Sequence, residues 1–162
     1  MRLYLIQHGE AKSKEQDPER PLTEKGLRDV RKVAEFIKPL GLRVRSVLHS
    51  GKARAAQTAE VLASAVDADE GIFQHDGLGP NDPVQPVAKD IQQATEDLMI
   101  VGHLPFLGKL AARLLTGSES AELVAFRNGG IVCLEHAPDG TWKLAWMIVP
   151  ELILAFRNNV GT

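Results

Sequence analysis

The sequence contains one cysteine among its 162 residues, Cys133. A single cysteine cannot form an intrachain disulfide, and it cannot supply the thiolate set of a structural zinc site. It lies in the apolar run from Ile131 to Leu134, where a buried and unreactive thiol is the expected state. No two histidines show the spacing of a zinc motif either, so we expect no metal.

Long hydrophobic runs and a strong net charge are also lacking. No apolar segment approaches the roughly 18 residues that a membrane-spanning helix needs, and the formal net charge is only -2. So small a charge gives no reason to expect nucleic acid or an anionic membrane as a partner. Because the first apolar segment begins at Leu3 with no signal peptide before it, we expect a cytoplasmic protein.

What is present suits a soluble globular fold. Hydrophobic residues make up 44% of the chain and charged residues 25%, and the length is sufficient for one substantial core. Because no internal repeat, low-complexity tract or linker interrupts the chain, we predict a single domain over residues 1–162.

Three short apolar runs share one pattern. Residues 3–6, 47–48 and 98–101 each end in polar or small residues, and each precedes a segment with helical periodicity. Alternating apolar runs and helices are typical of a mainly parallel sheet with helices on both faces. The last third of the chain reads as an antiparallel pair over 131–136 and 142–149. We therefore predict a three-layer α/β/α sandwich with an antiparallel edge.

The helix boundaries follow from caps and breakers. Thr23 is placed as an N-cap before a helix that Pro39 to Gly41 terminates. Further helices are predicted over residues 53–65, 83–94 and 106–115, with Gly117 beyond the end of the last. The segment 151–162 is read as a terminal helix or a frayed tail.

The polar residues that follow the three runs fall at one edge of the predicted sheet. Ligands of open α/β sheets gather outside the carboxyl ends of the strands, where His8, Ser50 and His103 would lie. Gly9 would let the backbone turn sharply into the charged loop 10–20. Such a loop beside a strand-end histidine favours a functional site.

Two histidines and two arginines form a consistent chemical set. The guanidiniums of Arg20 and Arg54 can bind a tetrahedral dianion through charge-assisted hydrogen bonds. An imidazole such as that of His8 is a competent nucleophile near neutral pH. Together with His103, these groups could support phosphoryl transfer without a metal.

Four segments carry a resemblance to a known family: "QHGEA", "RPLTEKG", "HSGKARAAQTAEVL" and "IVGHLP". They resemble the motif series of the histidine phosphatase superfamily, the phosphoglycerate mutase-like proteins, over about residues 1–115. The short length and the spacing are most similar to its phosphohistidine phosphatase branch, the SixA type. The resemblance implies a phosphoglycerate mutase-like fold and a phosphatase that needs no metal or organic cofactor. It also implies a phosphorylated protein, or a small phosphorylated molecule, as substrate.

The resemblance also assigns roles to particular residues. His8 matches the histidine that attacks phosphorus and becomes transiently phosphorylated, and His103 matches the second histidine that contacts the phosphoryl oxygens. Arg20 and Arg54 match the arginines that bind phosphate, and Gln7 and Gly9 complete the expected phosphate-binding set.

Gln7 departs from the family pattern, which has an arginine before the histidine. A glutamine amide still donates hydrogen bonds but brings no charge, so we expect weaker phosphate binding or slower turnover. A non-catalytic domain that binds phosphate or phosphopeptides is the alternative interpretation.

The proton donor for the leaving group is the second open point. Glu10 and Asp82 are the candidates, with Asp76 also available, and nothing in the sequence distinguishes one of them. A labile P–N bond to imidazole needs less proton donation, which favours a protein phosphohistidine phosphatase. A small-metabolite phosphomonoesterase would need the acid and is kept as a further alternative.

Overall fold

The computed structural model describes residues 1–153 and 155, which form an α/β/α sandwich. The helices are α1 (Glu24–Ile37), α2 (Ala53–Ala63), α3 (Gln85–Gln93) and α4 (Phe106–Thr116). The strands are β1 (Arg2–Gln7), β2 (Arg43–Val44), β3 (Val47–His49), β4 (Asp67–Ala68), β5 (Ile72–Gln74), β6 (Leu98–Gly102), β7 (Ile131–His136) and β8 (Trp142–Ile148).

Six strands form the central sheet, in the order β5-β3-β6-β1-β7-β8. The first four run parallel to one another, whereas β7 runs antiparallel to β1 and β8 antiparallel to β7. This arrangement confirms the predicted, mostly parallel sheet with an antiparallel edge. Strands β2 and β4 pair with each other in a separate two-stranded sheet.

Strand β1 shows why the sheet is covered on both faces. Tyr4 and Ile6 belong to the core that α1 and α2 complete, while Leu3 and Leu5 belong to the core beneath α3 and α4. All four side chains are buried. A strand that is buried on both faces has a continuous run of apolar residues, and this run is the feature that predicted β1 from the sequence.

The helix ends follow the local chemistry. Thr23 caps α1 as predicted, since its hydroxyl oxygen accepts a hydrogen bond from the backbone N–H of Gly26. Gly117, with φ 82°, ends α4 in the left-handed conformation that glycine adopts without strain. Helix α2 ends two residues before its predicted limit of 65 and α3 begins two residues after its predicted start of 83, both within the usual fraying of helix ends.

Strands β2, β4 and β5 had not been predicted. Each is only two or three residues long, too short to show a two-residue alternation in the sequence. Of the segment 151–162, residues 151–153 and 155 are helical, and the rest of that prediction lies outside the described residues. Within residues 1–153 and 155, no helix is both long and apolar enough to cross a membrane.

Candidate active site

Two histidines face each other at the carboxyl edge of the sheet. Strands β1 and β6 are parallel neighbours with Gln7 in register with Gly102, so the next residue on each strand is a histidine. The ring centroids of His8 and His103 are 5.0 Å apart, with the rings tilted by 52°. The predicted pairing of these two side chains is therefore present.

The protonation state of His8 follows from its contacts. Its Nδ1 lies 2.7 Å from the carbonyl oxygen of Gly9, and a carbonyl only accepts, so Nδ1 carries the proton. Burial above all lowers the pKa of His8 to about 4; the Gly9 hydrogen bond opposes this effect, and the positive charges of Arg54 and Arg20 add to it. At neutral pH the ring is therefore uncharged, with the Nε2 lone pair available.

The backbone around His8 is fixed from two directions. The side-chain amide of Asn128 donates to the carbonyl oxygen of His8 at 3.0 Å, and the N–H of Gly129 donates to that of Gln7 at 2.9 Å. From the other side, the N–H of Gly9 donates to the Thr58 hydroxyl at 3.0 Å, and that hydroxyl donates to the carbonyl oxygen of Arg54. The backbone around His8 is thus tied both to α2 and to the segment before β7.

His103 is almost fully buried, at 2% exposure. Its Nε2 lies 2.6 Å from the hydroxyl oxygen of Ser50, which itself accepts a hydrogen bond from the backbone N–H of Lys52 at 3.4 Å. Its Nδ1 is buried and meets no hydrogen-bond partner among the described residues. Burial above all, and then the charges of His8, Arg54, Lys52 and Arg20, lower the pKa of His103 to about 3.

The two arginines are held close together without a counter-charge. Arg20 adopts a positive φ of 49°, and its Nε donates to the carbonyl oxygen of Lys12 at 3.1 Å. The Nε of Arg54 is buried, and no described residue accepts a hydrogen bond from it. Burial and the charge of Arg20 lower the pKa of Arg54. In the described part of the chain, neither arginine forms an ion pair.

The start of α2 adds to this positive region. Arg54 is the second residue of the helix, where the macrodipole is positive and the first backbone N–H groups lack intrahelical acceptors. A cation is disfavoured there unless an anion is bound nearby. A tetrahedral anion can bind at this place, where the N-terminus of α2 lies beside Arg54 and Arg20.

Gln7 and Gly9, the other two expected phosphate-binding residues, have different surroundings. Gln7 ends β1, and its Oε1 is buried without a hydrogen-bond partner in the part of the chain that the structure describes. Gly9 has no positive φ, so the expected sharp turn is not what requires a glycine here. A Cβ at this position would lie 2.8 Å from Val30 Cγ2, and the Gly9 N–H is already bonded to Thr58. In this structure Gly9 therefore packs against α1 instead of offering its amide to phosphate.

Each of the two candidate proton donors accepts a hydrogen bond from a nearby part of the chain. A carboxylate oxygen of Glu10 accepts from the Thr23 hydroxyl at 3.1 Å, at the start of α1. A carboxylate oxygen of Asp82 accepts from the backbone N–H of Gly79 at 2.7 Å within an exposed loop. Neither is among the charged side chains that shift the pKa of His8. Over the described residues, no cluster of three or more histidine, cysteine, aspartate or glutamate side chains could hold a metal ion.

The sequence did not point to Thr58 or Asn128 as contributors to the site, nor to the contact between Ser50 and His103. Ser50 and Thr58 stand in the quoted motif around Arg54, but the motif does not show which atoms they contact. Asn128 lies in a segment that carries no motif, and its only signal is the turn-forming Asn128-Gly129-Gly130 before a strand. A side chain 120 residues from His8 reaches its carbonyl group only because β7 pairs with β1.

The fold and this constellation define a histidine phosphatase active site. The family model described as the histidine phosphatase superfamily, branch 1, matches residues 3–78. An uncharacterised protein of Picosynechococcus is 34% identical over 166 residues, covering 91% of this chain and 99% of that protein. The chain belongs to the histidine phosphatase superfamily and is a phosphatase.

Within the superfamily, the likeness is to the SixA type. The phosphohistidine phosphatase SixA of Escherichia coli K12 is 27% identical over 155 residues, which cover 93% of this chain and 94% of that protein. A solved structure of the protein histidine phosphatase SixA complexed with tungstate matches with a TM-score of 0.82 at 25% identity, covering 94% and 99% of the two chains. The chain therefore belongs to the SixA-type branch.

Proposed function

We propose that this phosphatase removes the phosphoryl group from phosphohistidine in proteins, through a transient phosphohistidine on His8. The observation that carries the proposal is the state of the His8 ring. Its Nδ1–H is bonded to the Gly9 carbonyl, its pKa is lowered to about 4, and its Nε2 lone pair is free beside two arginines. The similarity to SixA, and the tetrahedral oxyanion tungstate bound to one such protein, support the same reading.

In the first step, Nε2 of His8 attacks phosphorus in line, and the bond from phosphorus to the leaving nitrogen breaks. Arg20 and Arg54 hold the equatorial oxygens and neutralise their charge, with Gln7 as a neutral donor. The product is a phosphorylated His8 ring that keeps its Nδ1 proton on the Gly9 carbonyl. In the second step, water attacks phosphorus, inorganic phosphate is released, and His8 departs as a neutral imidazole.

Ser50 prepares His103 for its role as a donor. Since the Ser50 oxygen accepts from the Lys52 N–H, its own hydroxyl proton is free to be donated to His103 Nε2. With the hydroxyl proton assigned to this bond, the ring proton of neutral His103 lies on Nδ1, the buried atom that has no partner among the described residues. A phosphoryl oxygen would then satisfy this N–H.

The environment of His8 favours a P–N bond over an ester. An alkoxide leaving group needs a carboxylic acid nearby, and Glu10 and Asp82 are both held by their own loops. A phosphorylated imidazole can carry a proton on its other ring nitrogen and leave as a neutral ring without such an acid. The proposed substrate therefore does not require a carboxylic acid as proton donor.

The test is a substrate panel with matched variants. The wild-type protein should hydrolyse a phosphohistidine protein at least ten times faster than simple phosphate esters, and a rapid quench should place acid-labile phosphate on His8. His8→Ala should abolish turnover, whereas His75→Ala, an exposed histidine outside the site, should not. Full turnover by His8→Ala would overturn the mechanism.

Two other outcomes would identify the alternatives. Preference for esters would indicate a small-metabolite phosphomonoesterase with an acid supplied by Glu10 or Asp82. Phosphate binding without any turnover would indicate a non-catalytic phosphopeptide-binding domain, the consequence of Gln7 in place of arginine.

A further inference from the structure

A cavity of about 430 Å³ opens beside the two phosphate-binding arginines. The loop 10–20 contributes one wall, and the residues leading into α2 contribute the other. Arg20 and Arg54 line it, but neither His8 nor His103 does. The cavity therefore shares Arg20 and Arg54 with the phosphoryl site but does not include the two histidines.

The lining of this cavity is mostly cationic. Lys14 and Lys52 join Arg20 and Arg54, against the single carboxylate of Glu19. Among the described residues, none of these five side chains forms an ion pair. Exposed arginines elsewhere do pair, as Arg43 does with Asp69. Unneutralised positive charge is thus concentrated in this cavity.

Lys52 links the cavity to the reaction centre. Its charge is one of those that lower the pKa of His103, so it acts on the buried histidine as well as on the cavity. In an in-line displacement by Nε2 of His8, the leaving group departs on the far side of phosphorus. Because Arg20 and Arg54 belong to both sites, a substrate group attached to the phosphoryl group can reach the cavity.

We propose that this cavity binds a second anionic group, a carboxylate or phosphate carried by the substrate next to its phosphoryl group. The inference rests on the proposed function and adds a substrate class to it. Lysine ammonium groups act as point charges without fixed hydrogen-bond geometry, so they select charge close to the phosphoryl group more than a single molecular shape. In a protein substrate, this group is an acidic side chain near the phosphohistidine.

The experiment compares selectivity, not overall rate. Two phosphohistidine peptides that differ only in having glutamate or glutamine beside the phosphohistidine form one arm, and free phosphohistidine against its carboxamide forms the other. Wild-type kcat/KM should favour the acidic member of at least one pair three- to tenfold, the range expected for two partly exposed charge contacts. Preference confined to the peptides identifies a protein carboxylate, and preference confined to the small pair identifies a metabolite carboxylate.

Variants and ionic strength test whether the lysines of the cavity cause this selectivity. The double variant Lys14→Gln/Lys52→Gln should reduce the selectivity ratio towards one, and raised ionic strength should do the same for the wild type. Lys109→Gln, outside the cavity, should leave the ratio unchanged. Hydrolysis of all substrates with no preference for the acidic member overturns the inference but keeps the proposed function, whereas absence of any phosphohistidine hydrolysis overturns the proposed function itself.

Discussion

At the scale of single residues, we expect Gln7 to limit how strongly the site holds an oxyanion. It ends β1 beside His8, where the superfamily pattern has an arginine, and its side chain adds no charge. Gln7→Arg should tighten binding of tungstate or phosphate by about fivefold, because a charged donor contributes roughly 1 kcal/mol more than a neutral one. Calorimetric titration with tungstate measures the change.

A matched substitution separates local from general charge. Gln93→Arg adds the same charge at the exposed end of α3, away from the site, and should leave tungstate affinity within twofold of the wild type. Equal tightening by both variants would mean that net charge, not position 7, determines the affinity.

Ser50 is a positioning residue whose effect is visible without substrate. In Ser50→Ala, His103 Nε2 loses its partner at 2.6 Å, and the neutral ring should shift towards the Nε2–H tautomer. Nitrogen-15 chemical shifts of the His103 ring report the tautomer directly, and kcat should fall by about tenfold with a smaller change in KM. Ser64→Ala, which removes a hydroxyl bonded to the Val61 carbonyl, is the control. Unchanged nitrogen shifts in Ser50→Ala would contradict the assigned role.

At the scale of elements, the contact between α1 and the loop 10–20 is a close backbone approach. A Cβ at Gly26 would overlap the carbonyl oxygen of Glu10, so Gly26→Ala must displace the loop that carries Arg20. We expect a loss of about 1–3 kcal/mol in the free energy of unfolding, together with weaker phosphate binding. Urea denaturation and phosphate titration measure the two effects.

At a second helical glycine, replacement by alanine is expected to change the free energy of unfolding in the opposite direction. Gly108 lies in α4, and apart from the backbone of its own helix a Cβ there would meet its nearest neighbour, Leu104 Cδ2, only at 4.0 Å. Gly108→Ala should be neutral or stabilise the fold by roughly 0.4–1 kcal/mol, because alanine restricts the unfolded chain. A similar loss in Gly108→Ala would show that the loss in Gly26→Ala does not come from the backbone contact with Glu10.

The elements also show what a sequence can and cannot predict. It was possible to predict the cap at Thr23, the buried strand β1 and the four motif residues His8, Arg20, Arg54 and His103, because each depends on local residue order or on a long apolar run. The structural reason for a glycine at position 9 was predicted wrongly, since close packing against Val30 cannot be seen without the position of α1. Asn128 was missed because its contact with His8 depends on strand pairing across the whole chain.

At the scale of the whole molecule, two neutral histidines, His103 buried and His8 half-buried, make stability depend on pH. The pKa values of His8 and His103 are lowered to about 4 and about 3, whereas both would titrate near 6.5 in the unfolded chain. Between those values the unfolded state binds more protons, so stability that is fully present above about pH 6.5 is lost as the pH falls. The melting temperature should therefore drop from pH 7 to pH 5.

The same histidines supply the control for this pH dependence. His103→Gln removes one of the two groups, so the slope of the unfolding free energy against pH between 5 and 6.5 should become shallower. An equally steep slope in the variant would assign the effect to other groups.

The strand order has a consequence for how the protein reaches this state. Strand β1 is the first in the chain, yet it lies between β6 and β7, which begin at Leu98 and Ile131. During synthesis, neither edge of β1 can pair until these distant segments have emerged, and such long-range pairing slows folding. Pairing on the second edge of β1 therefore waits for the segment that carries Asn128 and β7. A chain truncated after residue 116 would hold all four motifs and still leave His8 at the end of a strand with one unpaired, aggregation-prone edge.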